Sequence, residues 1–194
     1  MTETNTSGII TAAADIIAGA FNALPKRVCN QHKFSDYADY LHENLPAQAE
    51  LDLQREKPLN PAPLVSVAIA CSGASRAAVR STLEALGKQT YANFEVCVVS
   101  ELAQAGLTDY EGIPKFRLVL FNGTAHEQLK AAEKMLNGAY FLQLLPGDLP
   151  APDALHMLVL QTHSNPEAEV VFADEDSVID GIRQNPIFKP DYGR

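Results

Sequence analysis

Between Val65 and Ala173 short apolar, β-branched runs alternate with stretches of helical periodicity, and few folds accommodate that rhythm. Val65–Cys71 (VSVAIAC), Phe94–Val99 (FEVCVV), Arg117–Phe121 (RLVLF), Ala139–Leu145 (AYFLQLL) and Val170–Ala173 read as strands, the first two apolar enough to be buried on both faces. Between them, Arg76–Gly87 places Val79, Leu83 and Leu86 on one helical face, with Ser75 as N-cap and Gly87 as stop. His126–Asn137 does the same with Leu129, Ala132 and Leu136, and Pro152–His163 with Leu155, Leu158 and Val159. Strands that alternate with helices predict an α/β fold with a largely parallel sheet flanked by helices. Ligands of such sheets sit beyond the carboxyl ends of the strands, so candidate functional residues are sought there.

The first 63 residues follow a different pattern. Ile9–Leu24 has one apolar helical face, with Ser7 as cap and Pro25 as stop, and predicts an N-terminal amphipathic segment over residues 1–33. Asp15 and Asn22 interrupt it, and it is too short to span a bilayer. Packing on its own domain or on a partner fits it better than contact with a membrane surface, because its polar face lacks the basic residues such helices use. Residues 34–63 are polar and proline-rich toward their end, which predicts a linker or helical tether with a domain boundary near Leu64 and a nucleotide-binding half-domain over 64–194.

Composition narrows the function. A formal charge of −9 and a pI near 4.9 oppose phosphate-gripping nucleic-acid binding. Three scattered cysteines (Cys29, Cys71, Cys97) with no CxxC give neither a disulfide framework nor a zinc ribbon, and predict reduced thiols in a cytoplasmic protein. Cys71 reads as a small buried thiol, since no nearby base activates it. His156 and His163, seven residues apart on one helix, read as surface histidines rather than a metal pair. Neither GxGxxG nor GxxxxGK[ST] is present. What stands at the strand ends is polar and acidic: Ser72, Ser100–Glu101, Asp148 and Asp174–Glu175–Asp176. Carboxylates gathered on one rim suit Mg²⁺ or Mn²⁺ holding a diphosphate; solvated or capping acids are the plainer alternative.

From Val65 onward the chain resembles the family 2 glycosyltransferases. Val67–Gly73 (VAIACSG) stands where that family has a strand ending in Pro-Thr-Tyr-Asn, and Gln89–Thr90–Tyr91 with Asn93–Phe94–Glu95 matches its Gln-Thr-Tyr and Phe-Glu stretch. Gly138–Leu155 is similar to the segment around its metal-binding Asp-x-Asp. Phe172–Asp191 (FADEDSVIDGIRQNPIFKPD) resembles a segment of bacterial rhamnosyl- or polysaccharide-related members, and Tyr37–Tyr40 compares with a Tyr-x-x-Trp element that precedes their first strand. The resemblance implies a GT-A, Rossmann-like fold, here truncated, with a nucleotide-diphosphate sugar as ligand. It implies that Ser72, Ser100 and Glu101 meet the nucleoside, that Asp148 lies by the metal diphosphate, that Asp174 and Asp176 line the sugar and acceptor side, and that Lys189 orders a closing loop.

The departures from the family pattern shape the expectation equally. The Asp-x-Asp positions fall on Leu145 and Gly147, leaving Asp148 as the nearest carboxylate, so binding of Mg²⁺ or Mn²⁺ is expected to be weakened. Asp174-x-Asp176 is a less favoured substitute. Family domains continue past Asp191 into an acceptor half that supplies the general base of an inverting transfer. Two readings stand: a transferase impaired or inactive alone, and a non-catalytic remnant that associates with a partner transferase or with its own copies.

Overall fold

The computed structural model describes residues 37–101, 113 and 115–189, which form two compact units, one of residues 44–172 and one of residues 37–43 with 173–189. The expected helix over Ile9–Leu24 and Cys29 lie outside the described residues.

The larger unit is a mixed α/β layer. Its four strands are β1 (Val65–Ala70), β2 (Phe94–Ser100), β3 (Phe116–Leu120) and β4 (Tyr140–Leu144), all parallel in the order β3-β2-β1-β4. Every residue of β1 and β2 is buried, as their largely apolar runs predict, and with them the polar Ser66, Glu95 and Ser100. We label the helices α1 (Tyr37–Asn44), α2 (Gln48–Glu56), α3 (Arg76–Leu86), α4 (Ala125–Glu133) and α5 (Ala154–Ser164). Val79, Leu83 and Leu86 of α3 and Leu155 and Val159 of α5 pack with Val65, Val67, Ile69, Val96 and Val98 on one face of the sheet. The other face is built of small residues, Ala68 and Cys97 beside Val99, which meet Ala132 of α4. The chain runs outward from β1 to β2 and β3, then returns beneath the sheet to place β4 on the far side of β1. The order therefore reverses between β1 and β4, which is where open parallel sheets form their ligand crevice.

Local chemistry explains the helix starts. Ser75 Oγ accepts from the Ala78 N–H at 3.2 Å, as expected. Thr124 and Glu127 form a reciprocal capping box at α4, a Thr-x-x-Glu signature readable in the sequence.

The far end of the sheet, at the amino ends of the strands, is closed by a buried carboxylate. Glu95 is 1% exposed; its Oε1 accepts from Ser66 Oγ at 2.8 Å and from the Asn137 N–H at 2.6 Å, while Oε2 accepts from Arg117 Nη1 at 3.2 Å. Arg117 also donates to the Met135 carbonyl, and the Gly138 N–H donates to Ser66 Oγ at 2.8 Å. These bonds fix the corner between α4 and β4 against β1. Burial acts to raise the Glu95 pKa, but the Asn137, Ser66 and Arg117 donors outweigh it and hold the carboxyl below the usual glutamate range.

One expectation is corrected. Val170–Ala173 is not a strand: residues 170–174 lack regular structure, and Val170 and Phe172 are 48% and 40% exposed. In the stretch expected as a linker or helical tether, residues 48–56 form α2, whose Leu51 and Gln54 are buried; Gln54 Oε1 accepts from Thr90 Oγ1 at 2.7 Å. This helix groups with the larger unit, residues 44–172.

The smaller unit pairs α1 with an antiparallel hairpin of β5 (Glu175–Ile179) and β6 (Ile182–Ile187). The strands are joined by Asp180 and Gly181, with φ of +53° and +77°; positive φ at both central residues makes the Asp-Gly pair a natural hairpin turn. Tyr37 stacks on Tyr40, whose ring meets the Phe188 ring edge-on at 5.0 Å.

Candidate functional site

The carboxyl rim of the sheet is assembled by strand register. β1 and β2 pair through Ala70 and Val99, and β2 and β3 pair through Ser100 and Leu120. The ladder then runs on, with the Cys71 N–H on the Val99 carbonyl and the Phe121 N–H on the Ser100 carbonyl, both at 2.9 Å. Extending that register places Ser72, Glu101 and Phe121 side by side, one from each adjacent strand. Side chains alternate along a strand, so these three continue the columns of Ala68 and Ala70, Cys97 and Val99, and Val119, on the α4 side of the sheet. Ser72 Oγ donates to Glu101 Oε1 at 3.3 Å, and both residues are exposed. Ser100, 2% exposed, faces the other way and anchors the rim through its carbonyl.

Beyond the end of β4, on the other side of β1 from β2, Leu145–Asp148 forms a tight turn. The Asp148 N–H donates to the Leu145 carbonyl at 3.0 Å, and Asp148 Oδ2 accepts from the Leu145 N–H at 2.7 Å. Gly147 has φ +105°, a conformation that excludes side chains. Its N–H donates to Thr82 Oγ1 at 2.9 Å and to the Ala78 carbonyl at 3.1 Å, which stitches the turn to α3. The position where an Asp-x-Asp would begin is Leu145, 57% exposed and without an oxygen ligand. This donor set does not fit Mg²⁺ or Mn²⁺: one carboxylate stands there, already committed to a turn. Among the described residues no group of three or more His, Cys, Asp or Glu side chains gathers as a metal site.

The remaining expected acids belong to the smaller unit and are bound within it. Asp174 Oδ1 accepts from the Lys189 N–H at 2.8 Å, and Lys189 Nζ lies 3.5 Å from Glu175. Asp176 Oδ2 accepts from Tyr37 Oη at 2.5 Å and Arg183 Nε at 2.6 Å. Burial, with the Asp176 carboxylate alongside, pushes the Tyr37 phenol up to about 12. Asp174-x-Asp176 thus presents a hairpin clasp rather than a paired ligand set. Burial also pushes the Cys71 thiol up to about 11, which agrees with an inert packed cysteine.

Sequence reasoning missed two residues of the rim. Phe121 reads in the sequence only as the end of the third strand, yet it is 39% exposed on the rim. Gln128 is fully buried beneath it and donates Nε2 to the Phe121 carbonyl at 3.2 Å. The capping box at Thr124 was the available signal, since it fixes where α4 begins and hence which residues end β3.

No protein-family model matches the chain. Over 141 residues, 68% of this chain and 16% of the relative, it is 31% identical to the uncharacterized protein y4gI of Sinorhizobium fredii. Among solved structures it is similar to S. aureus TarS 1–349, with a TM-score of 0.45 and 17% identity over 53% of this chain and 33% of that one. The same TarS fragment in complex with UDP gives a TM-score of 0.44 and 15% identity over 53% of this chain and 32% of that one. The chain therefore spans 16% of that relative and about a third of the TarS fragment. Among the described residues no helix is long and apolar enough to cross a membrane.

Proposed function

We propose that the larger unit is the nucleotide-binding half of a family 2, GT-A-type glycosyltransferase domain and takes a nucleoside diphosphate, free or joined to a sugar, at the carboxyl rim of its sheet. The observation that carries this reading is the Ser72–Glu101 hydrogen bond, which joins the ends of the two central parallel strands beside the point where strand order reverses. A carboxylate is acceptor-only, and a ribose offers a pair of hydroxyl donors to it. The loop after Ser72 leads directly into α3, which has Arg76 at its start and no acid in its first turn, so its positive end is open to a diphosphate. The sequence match at Gln89–Thr90–Tyr91 and Phe94–Glu95 supports the same family.

No metal is assigned a step, because the Leu145–Asp148 turn does not fit one. Asp174 and Asp176, which the resemblance would set beside the sugar, are engaged within the hairpin, so the reading rests on Ser72 and Glu101, with Ser100 anchoring the rim only through its carbonyl. Calorimetric titration with UDP tests it: the native chain binds, and Glu101→Gln, which removes the charge but keeps the shape, weakens binding about tenfold or more. Absence of heat with millimolar UDP overturns the reading.

A second reading, association with a partner transferase or with another copy, is favoured by one observation. β4 is an edge strand with no charge and no proline, and its Phe141 and Leu145, 39% and 57% exposed, continue the sheet's α4 side. Natural edges are ordinarily blunted by lysine, proline or a bulge. Light scattering on the purified chain separates the two: a dimer abolished by Phe141→Lys supports association, and a monomer at high micromolar concentration removes self-association.

A further inference from the structure

The Ser72–Glu101 pair leaves the third member of the rim unexplained. Phe121 is a large aromatic residue, 39% exposed, at a position where solvent exposure ordinarily selects a polar side chain. Its backbone is held on both sides, the N–H by the Ser100 carbonyl at 2.9 Å and the carbonyl by Gln128 Nε2 at 3.2 Å. Its ring lies over Gly123: a Cβ built there would stand 2.8 Å from Phe121 Cε1 and 2.9 Å from the capping Glu127 Oε2. Gly123 therefore leaves the space that the ring occupies at the start of α4. An exposed aromatic on a backbone held at two points presents its face at a fixed place on the rim, available for something to stack on it. Below it, the fully buried Gln128 keeps Oε1 without a partner among the described residues, an uncommon state for a buried amide.

We infer that Phe121 is the stacking platform for the base of the bound nucleotide, with Glu101, one strand away, holding the ribose hydroxyls. Neighbouring strands lie about 4.8 Å apart, and a ribose with its base spans two of them. Stacking on an aromatic face tolerates any base, so Phe121 contributes affinity for a nucleoside over bare diphosphate rather than discrimination between bases. This inference deepens the preceding one and depends on it, because the rim must bind nucleotide for Phe121 to matter.

The test compares UDP with inorganic diphosphate on the native chain, Phe121→Ala and Phe121→Trp, by calorimetry, with far-UV circular dichroism confirming that each variant is folded. Phe121→Ala is expected to weaken UDP by about tenfold and leave diphosphate unchanged, and Phe121→Trp to retain UDP binding. If UDP binds the native chain and Phe121→Ala equally, the stacking role is refuted while the Ser72–Glu101 rim survives. If the native chain binds no UDP, both fail together. A parallel loss of UDP and diphosphate binding in Phe121→Ala also refutes stacking, because a base platform has no contact with diphosphate alone.

Discussion

Removing the charge from Glu95 examines the structural end of the sheet and separates it from the ligand-binding end. In Glu95→Gln the side-chain oxygen can still accept from Ser66 Oγ and the Asn137 N–H, but an amide nitrogen now faces the Arg117 guanidinium, donor against donor. Hydrogen bonds to a charged group contribute about 1.5–3 kcal/mol when buried. The Arg117 side chain is 42% exposed, so solvent screens its share toward the low end, and a loss of about 2 kcal/mol follows. With a urea dependence of about 2 kcal/mol/M, the unfolding midpoint falls by about 1 M. Glu95→Ala costs more, because it leaves the buried Ser66 hydroxyl and the Asn137 N–H without their acceptor. The effect depends on pH. The Glu95 pKa is depressed in the folded chain, so its stabilisation is complete above the unfolded glutamate value of about 4.3 and is lost as pH falls through the folded value. Urea titrations at pH 7 and pH 3, followed by circular dichroism, therefore show a gap between native and Glu95→Gln that narrows in acid. Equal midpoints at pH 7, or a gap that widens in acid, would refute the clasp.

Other consequences follow from the same geometry. A methyl group at Gly138 would lie 2.5 Å from Ser66 Oγ and 2.7 Å from the Leu64 carbonyl oxygen, backbone that cannot yield, so Gly138→Ala destabilises by about 1–3 kcal/mol in thermal or urea unfolding. In the hairpin unit, Tyr37 has its pKa raised to about 12, so its contribution is intact below pH 10 and lost as pH rises toward 12; ultraviolet difference titration of the native chain minus Tyr37→Phe shows no phenolate signal at pH 10.5. If the Leu145–Asp148 turn holds no divalent ion, EDTA and millimolar Mn²⁺ leave UDP affinity unchanged within twofold; a tenfold gain with Mn²⁺ contradicts that assignment.

Much of the fold was legible because burial on two faces leaves a direct mark. β1 and β2 are runs without a charged residue except Glu95, and Val79, Leu83 and Leu86 repeat at helical spacing. What escaped was decided by short-range turn chemistry and by neighbours distant in sequence. Asp180–Gly181 signals a hairpin, but Val178, Ile179 and Ile182 around it lack polar alternation, so the apolar run at Val170–Phe172 looked the better strand. α2 carries mixed charge, and only its contacts at Leu51 and Gln54 distinguish it from a solvated tether. At the site, the strand ends pointed to Ser72, Ser100 and Glu101, but which of them face the same way depends on register, and that separates Ser100 from the other two. Tyr37 and Asp176 lie 139 residues apart, a pairing no local pattern announces.

The central claim is that the carboxyl rim of β1, β2 and β3 receives a nucleotide. A titration of the isotope-labelled chain with UDP, read by amide chemical shifts, locates the contact as well as detecting it. The account predicts concentration-dependent shifts concentrated at Ser72, Gly73, Glu101, Phe121 and Gly123, with the Glu95 end of the sheet unmoved. Shifts confined to the β5–β6 hairpin or to the Ser66–Glu95–Arg117 end, or none at millimolar UDP, would contradict it.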